Sequence, residues 1–335
     1  MSVPPDARGP LSETLLEALR GPPGRRGPVP SREGCADPLA DEDLQLSLYC
    51  CYELHYRGLP GVDERWEWDP WLLELRAGLE REFEKALVEE VGAPSEAAEP
   101  DEMDLALRAI ADEDDGPSVS TYIERHADLA QVSEFVIHRS AYQLKEADPH
   151  SWALPRLSGP PKAALVEIQA DEYGGGRPER IHATMFARSM EALGLDSTPG
   201  AYLDAIPGST LATVNLMSHF GLHRRLRGAI VGHLALFEMT SSIPNRRYAS
   251  GLRRLGLEAA TPFFDEHVEA DAVHENIAAV DLAGGLARQE PCLAADILWG
   301  ARALAVLDAR WAASVLDAWE AGESSLRDAA PRVAA

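Results

Sequence analysis

Apolar residues recur along this chain at intervals of three and four and almost never in strict alternation, a pattern that predicts helices and no strand of useful length. Order is expected to begin near Asp41-Glu42-Asp43, where acidic residues suit a helix start. The helix that follows carries Leu44, Leu48, Cys51, Leu54 and His55 on one stripe and stops near Gly58-Leu59-Pro60-Gly61. Trp66, Trp68 and Trp71 cluster around Asp69-Pro70 and are expected to fold over a core seam, with a substrate lid as the alternative. Further helices are predicted over 70–91, briefly over 105–110, as one long element over 121–146, and over 162–172. After Gly174-Gly175-Gly176 the pattern resumes over about 178–193, 208–222 and 225–242. A turn is expected at 244–247, then a short helix at 249–255, a helix bearing His267, and two terminal helices at about 290–307 and 309–322.

The expected fold is all-α: a bundle of about seven helices over 118–325, with a helical extension and acidic linker over 39–117. Residues 1–38, rich in Pro, Gly and Arg, read as a disordered tail. The chain has 335 residues, 45% of them hydrophobic, enough for a sizeable core. Its formal charge of −24 repels phosphate backbones, which argues against nucleic acid as a partner. No stretch approaches the length of a membrane span, and Pro4, Pro5, Asp6 and Arg8 interrupt any apolar leader. Cys35, Cys50, Cys51 and Cys292 form no CxxC pair and read as reduced thiols, so a cytoplasmic protein is expected.

Candidate chemistry changes this picture. His267, Asp271 and His274 stand at i, i+4 and i+7, one face of a helix. Imidazole with carboxylate and no thiolate suits Fe, Mn or Zn in a reactive rather than a structural site. Glu238 lies between Phe237 and Met239 on an apolar segment; it is costly to bury unless paired or metal-bound, the alternative being a solvent-facing or Arg-paired side chain. Glu172 and His182 are ten positions apart, not quite one helical face. The three glycines between them permit an unwound segment that turns both inward, or simply close helix packing.

These residues resemble the pattern of the heme-oxygenase-like diiron oxidases, also described as iron-containing redox enzymes. That pattern has a Glu and a His on an early stretch, a Glu on a middle helix, and His-x3-Asp-x2-His on a late one. Glu172, His182, Glu238, His267, Asp271 and His274 match it, and the resemblance covers roughly 118–320. An N-oxygenating subset carries a further upstream carboxylate, matched here by Glu146, with Glu134 as competitor.

The resemblance implies two Fe ions, O2 as co-substrate, a peroxo-diiron(III) intermediate and an external electron donor such as a reductase. Glu172, His182 and His267 would hold mainly one iron, Asp271 and His274 the other, and Glu238 would bridge or complete the pair. It further implies N-oxygenation of a small amine or amino-acid-derived substrate. The alternatives are desaturation, C–C cleavage or decarboxylation on the same scaffold, or a metal-free helical interaction protein. Arg139, Tyr142, Tyr173 and Arg177 lie near the site in sequence and are the candidate substrate contacts. A homodimer is a further expectation.

Overall fold

The computed structural model describes residues 4–24, 26–27, 35–95, 98–113, 116 and 118–327; the side chains at 271 and 272 lie outside the described set. The described residues form helices joined by turns and loops, without a strand. The first helix, α1 (Pro10–Leu19), falls inside the stretch expected to be a disordered tail. Its Leu11, Leu15, Leu16 and Leu19 are buried. Flanking Pro, Gly and Arg mask this short amphipathic stripe in the composition. Asp43, on α2 (Glu42–Glu53), accepts from the backbone N–H groups of Leu11 and Ser12 and so caps α1. Cys50 and Cys51 are buried on α2, where desolvation raises both thiols, that of Cys51 to about 12.

Asp69 caps α3 (Pro70–Val91), with Pro70 at the position where a missing N–H costs nothing. Trp66 before it and Trp71 in its first turn clasp the N-terminal segment: Trp66 is fully buried and donates to the Gly21 carbonyl, and Trp71 donates to Gly27, whereas Trp68 is exposed rather than folded over the core. A short helix, α4 (Met103–Asp112), follows.

The helix expected over 121–146 is broken into α5 (Val119–Arg125) and α6 (Leu129–Gln143). Two interactions break it. Asp128 and Gln131 form a capping box that starts α6. The Arg254 guanidinium gathers the carbonyls of Ile123, Glu124 and Ala127 that end α5. Next come the single turn α7 (Asp148–Ser151), α8 (Gly159–Glu172), α9 (His182–Ala192) and α10 (Gly208–Leu222).

α11 (Arg227–Arg254) runs straight through the turn expected at 244–247, with Pro244 inside it. Packing decides this: α11 is flanked by α5, α12 and α14, and Asn245 Nδ2 donates back to the Ser241 carbonyl across the proline. α12 (Pro262–Asn276) continues through a π-helical stretch, Ile277–Gly284, into α13 (Gly285–Gln289). α14 (Ala294–Glu320) replaces the two terminal helices expected; no Gly or Pro occurs between 301 and 320 to stop it. The seven helices of at least eleven residues in this region, α6, α8, α9, α10, α11, α12 and α14, form the bundle. α11 and α14 cross at Gly232 and Gly300, where a Cβ would collide with the backbone of the partner helix. Among the described residues, no helix is long and apolar enough to cross a membrane.

Candidate metal centre

Each candidate ligand is presented by a locally explicable piece of backbone. Glu146 lies in the turn after α6. Its neighbour Lys145 is buried in an ion pair with Glu53 at 2.6 Å, above the rings of Tyr49 and Tyr56. Ala147 has φ 73°, a left-handed conformation that disfavours a Cβ, and Gln169 Nε2 holds its carbonyl at 3.1 Å. The turn is thereby forced to aim Glu146 inward.

Glu172 ends α8 and His182 begins α9. Between them Gly174, Gly175 and Gly176 all have positive φ, and a Cβ on Gly174 would meet Ile181 N at 2.7 Å. The glycines double the chain back so that two residues ten positions apart face each other, with Glu172 Oε2 2.8 Å from His182 Nδ1. α12 carries His267 and His274. Asp271 lies between them on the same helix, and its side chain is outside the described residues. Glu238 comes from the middle of α11.

Two clusters result. Glu146, Glu172, His182 and His267 each bring one ligand atom within 4.8 Å of the others, and so do Glu172, Glu238 and His274. Glu172 belongs to both. All six residues are buried, none more than 7% exposed. His267 Nδ1–H donates to the Phe263 carbonyl at 2.8 Å, which fixes the tautomer and leaves Nε2 as the ligating atom, 3.6 Å from Glu146 Oε1. His274 Nε2 is held by Asp171 at 3.2 Å, so its Nδ1 faces Glu238 Oε2 at 3.4 Å and Glu172 Oε1 at 3.7 Å.

The electrostatics follow this crowding. Burial pushes Glu172 toward protonation, but His182, His267 and His274 outweigh it and hold the carboxyl below its ordinary value. Burial lowers His274, yet Glu238, Glu172 and Asp171 override it and raise the imidazole to about 9. His182 is raised in the same way, by Glu172 against desolvation. Even so, Glu146 Oε2 is buried without a hydrogen bond, and His182 Nδ1 and His274 Nδ1 meet their carboxylates without good hydrogen-bond geometry. Poorly satisfied carboxylate and imidazole atoms converging on one buried space fit iron, which takes these donors readily.

A cavity of about 10 Å³, room for a single water, is lined by Tyr142, Glu146, His150, Glu172, Glu238 and His267 among others. Tyr142 stands edge-on to Phe237 there. On the far side of Phe237 opens a larger cavity of about 190 Å³, whose wall includes Arg139, Gln143, Asn245, Tyr248 and Asp308. The other two sequence candidates lie elsewhere: the Tyr173 hydroxyl donates to Asp148 and accepts from Ser151, and Arg177 is exposed. Glu134, the competitor of Glu146, accepts from Trp319 Nε1 and from Ser324 and Ser325 near the C-terminal end, away from both clusters. Sequence reasoning missed Asp171 and His150. Asp171 is marked only by adjacency to Glu172. His150 pairs with His233 at 3.1 Å, a contact no spacing announces.

A family model described as iron-containing redox enzyme matches residues 133–309, more than half of the chain. The chain belongs to that family. A curated relative in the comparison is nitrosourea synthase from Streptomyces achromogenes subsp. streptozoticus, 31% identical over 138 residues. The match covers 40% of this chain and 29% of that protein, so the chain corresponds to less than a third of its relative's length. That family is one of iron-containing redox enzymes, and the buried His and Glu clusters are compatible with the metal.

Proposed function

We propose that this chain is a non-heme diiron oxygenase that N-oxygenates a small polar amine. One iron would be held by Glu146, Glu172, His182 and His267, the other by Glu172, Glu238 and His274, with Asp271 as the residue the sequence adds to the second set. The observation that carries this reading is the position of Glu146. It adds a carboxylate beyond the basic six-residue pattern and lies in one cluster with Glu172, His182 and His267. When bound, the irons supply O2 activation. The protein supplies burial, fixed tautomers and exclusion of bulk water. The overall reaction balances as R–NH2 + O2 + 2e⁻ + 2H⁺ → R–NHOH + H2O, with the electrons from an external reductant.

The 190 Å³ cavity beside the clusters supports a small substrate. Arg139 and Asp308 on its wall offer opposite charges, and Gln143 and Asn245 offer hydrogen bonds. The match to a relative named for making a nitrosourea points the same way. Anaerobic Fe(II) titration with Mössbauer detection, followed by oxygen and a panel of amino acids and amines, tests the proposal. The expected result is two irons per chain and an N-hydroxy product labelled by 18O2. A single iron per chain, or oxidation of carbon alone across the panel, would overturn it; the latter would favour desaturation or C–C cleavage.

A further inference from the structure

Helix α3 of the N-terminal extension and helix α10 of the bundle meet at a second set of buried and half-buried His and Glu side chains, none of which belongs to the iron clusters. Glu80 and Glu84 lie one turn apart on α3, and His219 and His223 lie four positions apart at the end of α10. Glu80 is 6% exposed and His219 fully buried. Glu80, His219 and His223 each bring a ligand atom within 4.8 Å of the other two.

The distances suit a small cation. Glu80 Oε1 is 3.0 Å from His223 Nε2 and 4.0 Å from His219 Nδ1. Ligands about 2.0–2.1 Å from a tetrahedral Zn²⁺ stand roughly 3.3–3.4 Å apart, between those two values. Glu80 Oε1 and His223 Nε2 are buried in contact, yet the contact lacks good hydrogen-bond geometry. The tautomer of His219 is also set: Nε2–H donates to Glu84 Oε2 at 3.2 Å, and Arg225 in turn grips Glu84. In the neutral ring Nδ1 is then the lone-pair nitrogen, turned toward Glu80; the metal-free ring sits between two carboxylates and gives up a proton as the ion binds. A carboxylate behind a histidine is the usual support of a zinc ligand. His223, 27% exposed in its side chain, gives an entry path and room for a water in the fourth position.

We propose that Glu80, His219 and His223 bind one divalent transition-metal ion, of which Zn²⁺ fits best, and thereby fasten the N-terminal extension to the bundle. The ion competes with Arg76, whose Nε is 3.3 Å from Glu80 Oε1, and with the Tyr52 hydroxyl, 3.4 Å from His219 Nδ1. Mg²⁺ and Ca²⁺, which gain little from imidazole, do not repay that competition.

The test uses the full chain, first loaded anaerobically with Fe(II) and then dialysed against Zn²⁺. The expected result is one further zinc per chain with the iron retained, two imidazole nitrogens and oxygen in its X-ray absorption spectrum, and a raised melting temperature. Glu84→Gln is expected to weaken zinc binding about 10–100-fold and leave iron content unchanged. His223→Gln, at the exposed edge, is expected to abolish it. Zinc taken up only as iron is released, or bound equally by wild type and His223→Gln, would overturn the proposal. Should the variants misfold, the wild-type spectrum decides: zinc with no imidazole pair sinks it.

Discussion

His274 illustrates how one residue couples iron to pH. In the metal-free protein its imidazole is raised to about 9 by Glu238, Glu172 and Asp171 against desolvation, so it is protonated at neutrality. A raised folded-state value means this charge stabilises the fold fully below the unfolded value of about 6.5, and that the contribution is lost as pH rises through about 9. Iron needs the neutral ring. Iron uptake is therefore expected to release protons and its affinity to fall as pH drops below about 9; Fe(II) titration at several pH values with proton counting checks this. Glu146 and Glu134 allow a paired test. Glu146→Gln, nearly isosteric, should keep the fold and lose the oxygenase activity proposed above. Glu134→Ala should keep iron stoichiometry and lose about 1–3 kcal/mol of stability, because it strands the donors of Trp319, Ser324 and Ser325. Thermal melts with iron analysis separate the two. At this scale residue type and spacing made Glu172, Glu238, His267 and His274 readable in the sequence. The orienting role of Asp171 was not, because it depends on a contact between α8 and α12.

The elements were legible where hydrophobic period alone governs them, as in α3 and α10. They were misread where a distant side chain decides. Arg254 ends α5 from more than a hundred residues away, and the neighbours of α11 carry it across Pro244. The crossing of α11 and α14 gives an element-scale prediction. Alanine is the better helix former by about 1 kcal/mol, yet Gly300→Ala should destabilise by about 3 kcal/mol because its Cβ meets the Ala229 backbone. Gly78→Ala on α3, where the nearest atom is the flexible end of Arg81, should stabilise by about 0.5–1 kcal/mol. Urea unfolding of the two variants checks both signs.

For the whole molecule, composition misleads most at the N-terminus. A Pro- and Gly-rich tail has no core to lose, but Leu15 is fully buried, and Leu15→Ala should cost about 2–5 kcal/mol in urea unfolding. Buried neutral histidines set the acid limit of the fold. Burial, reinforced by Arg139, lowers His138 to about 3, and burial lowers His150 to about 4. Stability from a depressed histidine is complete above its unfolded value of about 6.5 and is lost as pH falls toward the folded one. His138 alone removes about 2 kcal/mol between pH 6.5 and 5, and His138→Gln should flatten that part of the profile.

The glycine turn that brings His182 back to Glu172 closes only one short loop of the centre; the remaining ligands arrive at intervals along the chain. Glu146 leaves the ribosome long before His274. At about 5–20 residues per second the interval between them is roughly 6–26 s. For most of it Glu146, then Glu172 and last Glu238 wait in turn without the imidazoles of α12 that cluster with them. No nascent chain that stops short of His274 can bring both clusters together, so the complete centre forms late in synthesis or after it.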